Sequence, residues 1–171
     1  MSTRYVALLR AVNVGGTGQL PMTELAAMCA EAGFTRVETY IASGNVVFDS
    51  RDSATSVKAK LEKRLEAYAG KPVGVAVRTA AEIAEVLERN PFPKAPPNHT
   101  VAIFLDVAPP RDALAHATGQ QDEEMRLGKR EIYVHYGSGM GRSKLKIPAA
   151  KSGTARNMNT IAKLATMAAK E

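Results

Sequence analysis

The first 79 residues alternate between two kinds of hydrophobic pattern, and this alternation restricts the possible folds more than any other feature. A nearly continuous apolar run begins at Tyr5, and further short runs rich in β-branched and aromatic residues occupy residues 37–41, 46–48 and 73–77. Between these runs, two segments repeat apolar residues at helical spacing. The predicted order is therefore strand, helix, strand, strand, helix, strand.

Local signals mark the ends of the predicted helices. Pro21 stands where the first helix would begin, and Gly33 supplies a natural end for it. Ser53 is a typical N-cap for the second helix, which Gly70 closes. Thr79 and Glu82 have the three-residue spacing of a capping box, so a third helix is expected after the last of these strands. The order of the first six elements matches the ferredoxin-like split βαβ motif, in which both helices pack on one face of a four-stranded antiparallel sheet.

The second half repeats part of this order after a proline-rich connection. Four prolines in residues 90–98 remove backbone donors and disfavour a helix. The predicted domains are a first lobe over residues 1–79, a helix and connection over 80–98, and a second lobe over 99–171. The second lobe is predicted to contain a strand, a short helix over 111–117, a hairpin around Gly128 and a long C-terminal helix capped by Thr154. The predicted fold class is α+β, with two ferredoxin-like (α-β plait) lobes of which the second is degenerate.

Composition indicates a globular chain with a basic surface. The 171 residues are 45% hydrophobic, which is enough for a substantial core, and 23 Lys and Arg against 17 Asp and Glu give a net charge of +6. Such a charge fits either an anion-binding protein or simply a solvated basic surface. Most of the excess falls near the C-terminus, where only Glu131 and Glu171 offset the cations. These are Lys129, Arg130, Arg142, Lys144, Lys146, Lys151, Arg156, Lys163 and Lys170.

Several classes of protein are disfavoured by the residues present. No apolar run approaches the roughly 20 residues of a membrane span, and the chain opens on a strand without a leader pattern, so a cytoplasmic location and no membrane contact are expected. His99, His116 and His135 are scattered, with no metal-binding motif, so neither a metal nor a cofactor is expected. The single cysteine, Cys29, has the helical spacing of a core residue.

Arg10 is the first candidate for ligand contact. It lies two residues from both Leu8 and Val12, so all three are predicted to point to the same side of the first strand. A cation in an apolar strand usually has a partner. Arg10 is therefore either a paired cation between the lobes or a clamp for a carboxylate or phosphate.

Two loops supply further candidates, each with two interpretations. The first loop contains Asn13, Gly15 and Gly16, and the second contains Ser43, Gly44 and Asn45. Paired glycines let backbone amides approach an anion, but tight turns are their commoner use. In the predicted sheet the two loops lie either at the same end or at opposite ends, and residue spacing does not decide between these arrangements.

The glycine-rich segment 137–144 has the residues of a phosphate site without a nucleotide motif. It lacks both the P-loop and the GxGxxG pattern, because Arg142 stands where each requires a glycine. Its glycines, Arg142 and Lys144 fit either a phosphate-wrapping loop or a mobile basic loop. Arg156 and Asn157 would add a cation and helix N-terminal amides, where anions are often bound.

Several ordered motifs together resemble the DUF1697 family of uncharacterised bacterial proteins. They are YVALLRAVNVGG with the following LPM, TYIASGNVVF, NPF, GRSKL and TARNMNTIAKL, and they span nearly the whole chain. The resemblance implies two ferredoxin-like lobes and no established activity. Residues that match these motifs are Arg10, Asn13, Gly15, Gly16, Ser43, Gly44, Asn45, Lys144, Arg156 and Asn157. The chain departs from the family at Ala11, where Gly is usual, and at Met158, where Trp is usual and a stacking ring is lost.

Three classes of function follow from these residues. The first is binding of a phosphate-bearing ligand, a small nucleotide or a nucleic-acid backbone, on which Arg10, Lys144 and Arg156 would converge at a basic site between the lobes. The second is a hydrolase or transferase that uses Asn13, Ser43 and Asn45 as polar groups, although no general base stands near them in the sequence. The third is a structural or interaction module. Enzymatic activity and oligomeric state stay open.

Overall fold

A computed structural model describes residues 2–11 and 19–170. Within these residues the fold is α+β, with two four-stranded antiparallel sheets and four α-helices. The strands are β1 (Thr3–Leu9), β2 (Thr35–Tyr40), β3 (Asn45–Ser50), β4 (Val75–Thr79), β5 (Thr100–Phe104), β6 (Glu124–Leu127), β7 (Glu131–His135) and β8 (Thr154–Asn157). The helices are α1 (Met22–Glu31), α2 (Ala54–Ala69), α3 (Ala80–Glu88) and α4 (Met158–Ala169). None of the described helices is both long and apolar enough to span a bilayer.

The chain divides into two compact units. Unit 1 comprises the residues up to Ala84 together with those from Lys163 onward, and unit 2 comprises Glu85–Ala162. The lobe boundaries expected from the sequence, 1–79 and 99–171 with a connection over 80–98, stay a prediction.

Unit 1 contains the six elements in the order expected from the sequence. Its strands lie in the order β2-β3-β1-β4, and every neighbouring pair is antiparallel. The first strand therefore lies inside the sheet, where Tyr5 is opposite Phe48 on one side and Thr79 on the other.

Both crossover helices of unit 1 pack on one face of this sheet. Alternate strand residues and the apolar residues of α1 and α2 form a single buried cluster, which includes Tyr5, Ala7, Leu9, Phe48, Leu25, Cys29, Leu61 and Leu65. The intervening residues Val6 and Leu8 are also fully buried. Burial on both faces explains why the first strand is a continuous apolar run rather than an alternating one.

The helix ends of unit 1 follow the local signals in the sequence. The Ser53 hydroxyl accepts a hydrogen bond from the Ser56 amide, and α2 ends at Gly70 with φ 75°. The predicted capping box is confirmed, because the Thr79 amide donates to Glu82 Oε1 at 2.9 Å and the Glu82 amide donates to Thr79 Oγ1 at 3.1 Å.

Unit 2 has the same strand order with irregular connections. Its sheet is β6-β7-β5-β8, again antiparallel throughout, so β5 to β8 take the places of β1 to β4. The helix predicted over residues 111–117 is a short 3-10 helix, Ala113–His116. The crossover from β7 to β8 likewise contains only the 3-10 helices Met140–Arg142 and Pro148–Ala150 among its residues, all of which the structure describes.

The prediction that Thr154 caps the C-terminal helix is wrong. Thr154 begins β8, a strand that the sequence reading missed, and pairs with Phe104. The cap is Asn157, whose Oδ1 accepts a hydrogen bond from the Thr160 amide at 2.9 Å. A four-residue strand that depends on pairing with distant residues leaves little periodicity to detect.

The two units repeat one detail at the end of their fourth strands. Arg78 of β4 lies opposite Val6 and immediately precedes the cap Thr79, while Arg156 of β8 lies opposite Ala102 and immediately precedes the cap Asn157. Both arginines are buried. Each donates from Nη1 to the carbonyl of the preceding residue, at 3.1 Å in unit 1 and 2.9 Å in unit 2. The repeat therefore extends from the order of strands to individual side chains.

Candidate functional site

Arg10 lies just beyond the first strand, so its predicted position within the strand is wrong. The strand ends at Leu9, and Arg10 is exposed. Ala11 follows with φ 55°, a left-handed conformation that interrupts extended backbone. The expectation that Arg10 points to the same side as Leu8 and Val12 stays a prediction, because Val12 lies outside the described residues.

The end of the first strand, the β2–β3 turn and the start of β4 meet at one edge of the unit 1 sheet. The Leu9 amide donates to the Gly44 carbonyl at 2.8 Å, and the Arg10 amide donates to the Gly74 carbonyl at 2.9 Å. A Cβ atom built on Gly74 would lie 3.7 Å from Arg10 Cβ and 3.8 Å from Arg10 Cδ, so the stem of Arg10 passes over this glycine. The structure thus brings Arg10 and the Ser43-Gly44-Asn45 turn to the same end of the sheet.

A cavity of about 370 Å³ opens at this edge of unit 1. Arg10 and Lys71 are the charged residues among the described residues that line it, and both are cations. Leu20, Leu65 and Val73 contribute apolar surface, while Tyr68 lines the cavity with 47% of its surface exposed. The cavity therefore combines positive charge with an apolar wall and one accessible aromatic ring.

The turn residues at this edge have structural roles. Asn45 is fully buried, and its Nδ2 donates to the Tyr40 carbonyl at 2.8 Å and to Ser43 Oγ at 3.0 Å. Gly44 has φ 91°, a conformation that glycine adopts with least strain. Ile41 begins the turn at φ 49°, which is unusual for a β-branched residue. These hydrogen bonds fix the turn, so the Asn45 amide group serves the fold.

The remaining candidates in unit 1 belong to the first glycine loop. Asn13, Gly15 and Gly16 lie outside the described residues. Ala11 and Gln19, the described residues on either side of that segment, both line the cavity.

The candidates in unit 2 differ from one another in exposure. Lys144 is exposed, and its carbonyl oxygen would be only 2.1 Å from a Cβ atom on Gly119. Arg156 is only 9% exposed, and burial lowers its pKa to about 10. Asn157 caps α4. Arg156 and Asn157 therefore have evident structural roles, and the expected convergence of Lys144 and Arg156 with Arg10 stays a prediction.

Comparison with known proteins identifies the family. The family model described as "Protein of unknown function (DUF1697)" matches residues 2–133. The chain belongs to the DUF1697 family. A solved structure with a similar fold is that of conserved bacterial protein SP0830 from Streptococcus pneumoniae, which is 27% identical, with a TM-score of 0.81. The match covers 98% of this chain and 99% of that protein. A comparison with curated proteins found no match.

The two departures from the usual DUF1697 residues have clear structural consequences. Ala11 adopts a left-handed φ of 55°, which the usual glycine would take with less strain. Met158 is 3% exposed, so this position packs in the interior rather than offering a surface for stacking. A Trp at this position would accordingly act as a core residue in this setting.

Sequence reasoning missed Tyr68, Lys71 and Gln19 as cavity residues. A topological signal was present for Lys71, which directly follows the glycine that ends α2 and precedes β4. In an antiparallel pair, the end of one strand meets the start of the other. The predicted order of elements therefore already brought the residues before β4 to the same edge as Arg10.

Proposed function

We propose that unit 1 binds a small phosphate-bearing ligand of the mononucleotide kind at the edge cavity. The observation that carries this proposal is that Arg10 and Lys71 line the same cavity as the exposed ring of Tyr68. This pairing of cations with an aromatic ring matches a molecule that has a phosphate at one end and a planar base at the other. A volume of about 370 Å³ falls within the range of small-molecule pockets.

The charge at the cavity favours an anion through two different donors. Arg10 offers a planar fork that fits two phosphate oxygens at once, whereas Lys71 offers a compact charge that accepts many geometries. The net charge of +6 adds a long-range attraction for anions of any kind. Recognition within the cavity then depends on these two side chains.

The apolar part of the cavity favours a ring over a bare phosphate. Tyr68 presents its ring while Leu65 and Val73 form the adjacent wall. Stacking on an aromatic side chain contributes about 1–3 kcal/mol per base and tolerates different bases. A nucleoside phosphate would contact both the cationic residues and the apolar wall of the cavity, whereas inorganic phosphate would contact only the cationic residues.

Lys71 also has a purely structural explanation that the experiment must separate. It follows Gly70 at the C-terminal end of α2, where a cation offsets the negative end of the helix dipole by about 0.3–1 kcal/mol. A structural lysine would change the melting temperature of the free protein. A ligand-binding lysine would change the affinity for the ligand.

The proposal is tested by calorimetric titration of the full chain with adenosine monophosphate, adenosine, ribose phosphate and pyrophosphate. We expect adenosine monophosphate to bind most tightly, and Arg10→Ala and Lys71→Met each to weaken it about tenfold, the loss of one charged hydrogen bond. Tyr68→Leu should weaken adenosine monophosphate about fivefold and leave pyrophosphate unchanged. Lys63→Met is the matched control, because Lys63 is an exposed lysine of α2, the helix that Lys71 follows, and lies outside the cavity lining.

Two outcomes would overturn the proposal. One is no measurable binding of any compound in the panel. The other is binding that Lys63→Met weakens as much as Lys71→Met does, which would indicate non-specific attraction. The sequence-based prediction also includes Lys144 and Arg156 of unit 2, and unchanged affinity in Lys144→Ala would remove Lys144 from the site.

We also infer that unit 1 is ferredoxin-like and that unit 2 is a degenerate copy. The support is the order β2-β3-β1-β4 with α1 and α2 on one face, together with the same strand order in the second sheet. An independent check is whether residues 85–162, expressed alone, give the β-rich circular dichroism expected of a sheet without crossover helices.

A further inference from the structure

Unit 2 has a recess where unit 1 has helices. In unit 1 the inner face of the sheet is covered by α1 and α2. In unit 2 the corresponding face carries Val101, Ile103, Ile132 and Val134, and short 3-10 helices and loop residues cover it instead. This thinner cover leaves a recess of about 660 Å³.

The lining of this recess is mainly apolar, with positive charge. Ile103, Leu145, Ile147 and Pro148 are among its apolar residues. Lys146 and Lys151 are its charged residues, and Tyr136 and Thr118 supply hydroxyl groups. Lysine side chains can extend along apolar surface while they keep the ammonium group in water. An apolar recess with ammonium groups fits a ligand that is itself apolar with one anionic end.

The walls of the recess are fixed by hydrogen bonds within unit 2. Thr118 and Lys146 exchange two backbone hydrogen bonds, of 2.9 and 2.8 Å. The Ser143 hydroxyl donates to the buried Glu123 carboxylate and also accepts from the Leu145 amide at 3.2 Å. The chain on both sides of the recess is therefore held in place without a ligand. A preformed site of this kind avoids the cost of ordering the protein on binding.

We propose that this recess binds an amphipathic carboxylate, with its apolar tail against Ile103 and Ile147 and its carboxylate at Lys146. This site is independent of the phosphate site proposed for unit 1, since every described residue that lines it belongs to unit 2. The tail would cover apolar surface that the missing crossover helices leave open, and the carboxylate would meet the ammonium groups of the recess. Each methylene group that is fully buried tightens binding by up to about threefold to fourfold, so affinity depends steeply on tail length.

The test is titration of the full chain with acetate, hexanoate, octanoate and decanoate below their micelle concentrations. We expect no binding of acetate and up to about tenfold tighter binding for each pair of added methylene groups until the recess is filled. Decanol should bind more weakly than decanoate because it lacks the charge. Affinity that does not depend on tail length would overturn the proposal.

Substitutions of residues that line the recess test whether decanoate binds there. Lys146→Met keeps the apolar stem and should weaken decanoate at least fivefold while leaving decanol unchanged, and Lys146→Arg should retain decanoate binding. Ala150→Phe should fill the recess and weaken both ligands at least tenfold. Lys94→Met is the control for loss of one exposed charge in the same unit, since Lys94 lies outside the lining. Decanoate binding unaffected by both Lys146→Met and Ala150→Phe would refute the site.

The two proposed sites can fail separately. Lys71→Met should weaken adenosine monophosphate and leave decanoate unchanged, whereas Lys146→Met should do the reverse. Loss of both ligands in either variant would contradict the assignment of two independent sites. If Ala150→Phe does not fold, Lys146→Met still decides the question, because its side chain is exposed.

Discussion

The two units share a strand order but cover their sheets in different ways. In unit 1, two full helices place buried leucines such as Leu61 against the sheet. In unit 2, the equivalent cover consists of 3-10 helices and half-buried side chains such as Leu145. The same topology thus supports a dense core in one unit and an open recess in the other, and strand pairing alone does not determine how well a sheet is covered.

The largest expected difference concerns the covering leucines. Leu61→Ala should reduce the free energy of unfolding by about 4 kcal/mol, because it leaves a cavity in a fully buried cluster. Leu145→Ala should cost about 1 kcal/mol, since this side chain is only partly buried. Urea unfolding followed by circular dichroism would give both values, and amide hydrogen exchange would assign each loss to its unit. Equal losses of unfolding free energy would show that the residues that pack on the two sheets are equally well packed.

Two glycines with nearly equal φ angles allow backbone strain to be separated from a steric clash. Gly70 has φ 75° with no atom within 4 Å of a built Cβ, while Gly119 has φ 72° with the Lys144 carbonyl oxygen 2.1 Å away. Gly70→Ala should cost about 1 kcal/mol from backbone strain alone. Gly119→Ala should cost about 3 kcal/mol, because the clash adds to that strain. Thermal unfolding of both variants measures the difference, and similar melting temperatures would contradict the close approach.

Asp49 of unit 1 and Glu123 of unit 2 both have a lowered pKa, and the causes differ. The pKa of Asp49 is lowered mainly by its hydrogen bond from Arg36, whereas the pKa of Glu123 is lowered mainly by the Ser143 hydroxyl. Both therefore stabilise the fold above their unfolded-state pKa values of about 4, and that stability is lost as the pH falls through the lower folded values. Asp49→Asn should cost about 1 kcal/mol at pH 7.

The pKa values of these two carboxylates should respond differently to salt. The partner of Asp49 is charged, so high ionic strength should raise its pKa toward the ordinary value, while the neutral partner of Glu123 should make its pKa much less sensitive. NMR titration of the two carboxyl groups at low and high salt would measure this. An equal response to salt would refute the distinction.

The smallest expected effect concerns left-handed backbone positions. In the described part of the chain, the non-glycine residues with positive φ are Ala11, Arg36 and Ile41, and all belong to unit 1. Ala11→Gly should stabilise the protein by about 0.5 kcal/mol, because relief of strain slightly exceeds the added entropy of the unfolded chain. Ala32→Gly is the control, since Ala32 has φ −77° and should lose about 0.5 kcal/mol. Thermal melts in parallel would show opposite shifts.

The parts of the fold that the sequence predicted are those fixed by neighbouring residues. Ser53 and the Thr79–Glu82 pair act over three residues, so their patterns are visible without any tertiary information. The fourth strand of unit 2, β8, forms through pairing with β5, which is distant in the sequence. Its last residue, Asn157, is also the N-cap of α4. The local pattern of residues 154–157 therefore resembles the start of a longer helix.

The residues of the candidate site differ in the same way, because some stand out in the sequence and others come together only in the folded chain. Arg10 stands out in the sequence as a cation after an apolar run, but its place beyond the strand depends on the left-handed Ala11. Lys71 and Tyr68 are ordinary residues at the end of a helix, and only the folded sheet edge brings them to the cavity that Arg10 lines. Asn45 has the residue type of a ligand donor, yet burial commits its amide group to the turn.

The division of the chain into units has a consequence for its synthesis. Unit 1 includes the end of α4, from Lys163 onward, although the rest of unit 1 precedes all of unit 2 in the sequence. Since domains generally fold in the order in which the ribosome makes them, the first sheet can pair once Thr79 has emerged, but its unit stays incomplete until the second unit has been made. A ribosome stalled before residue 163 would therefore hold an early unit that still lacks its final helix segment, and such an incomplete unit exposes apolar surface to chaperones and proteases.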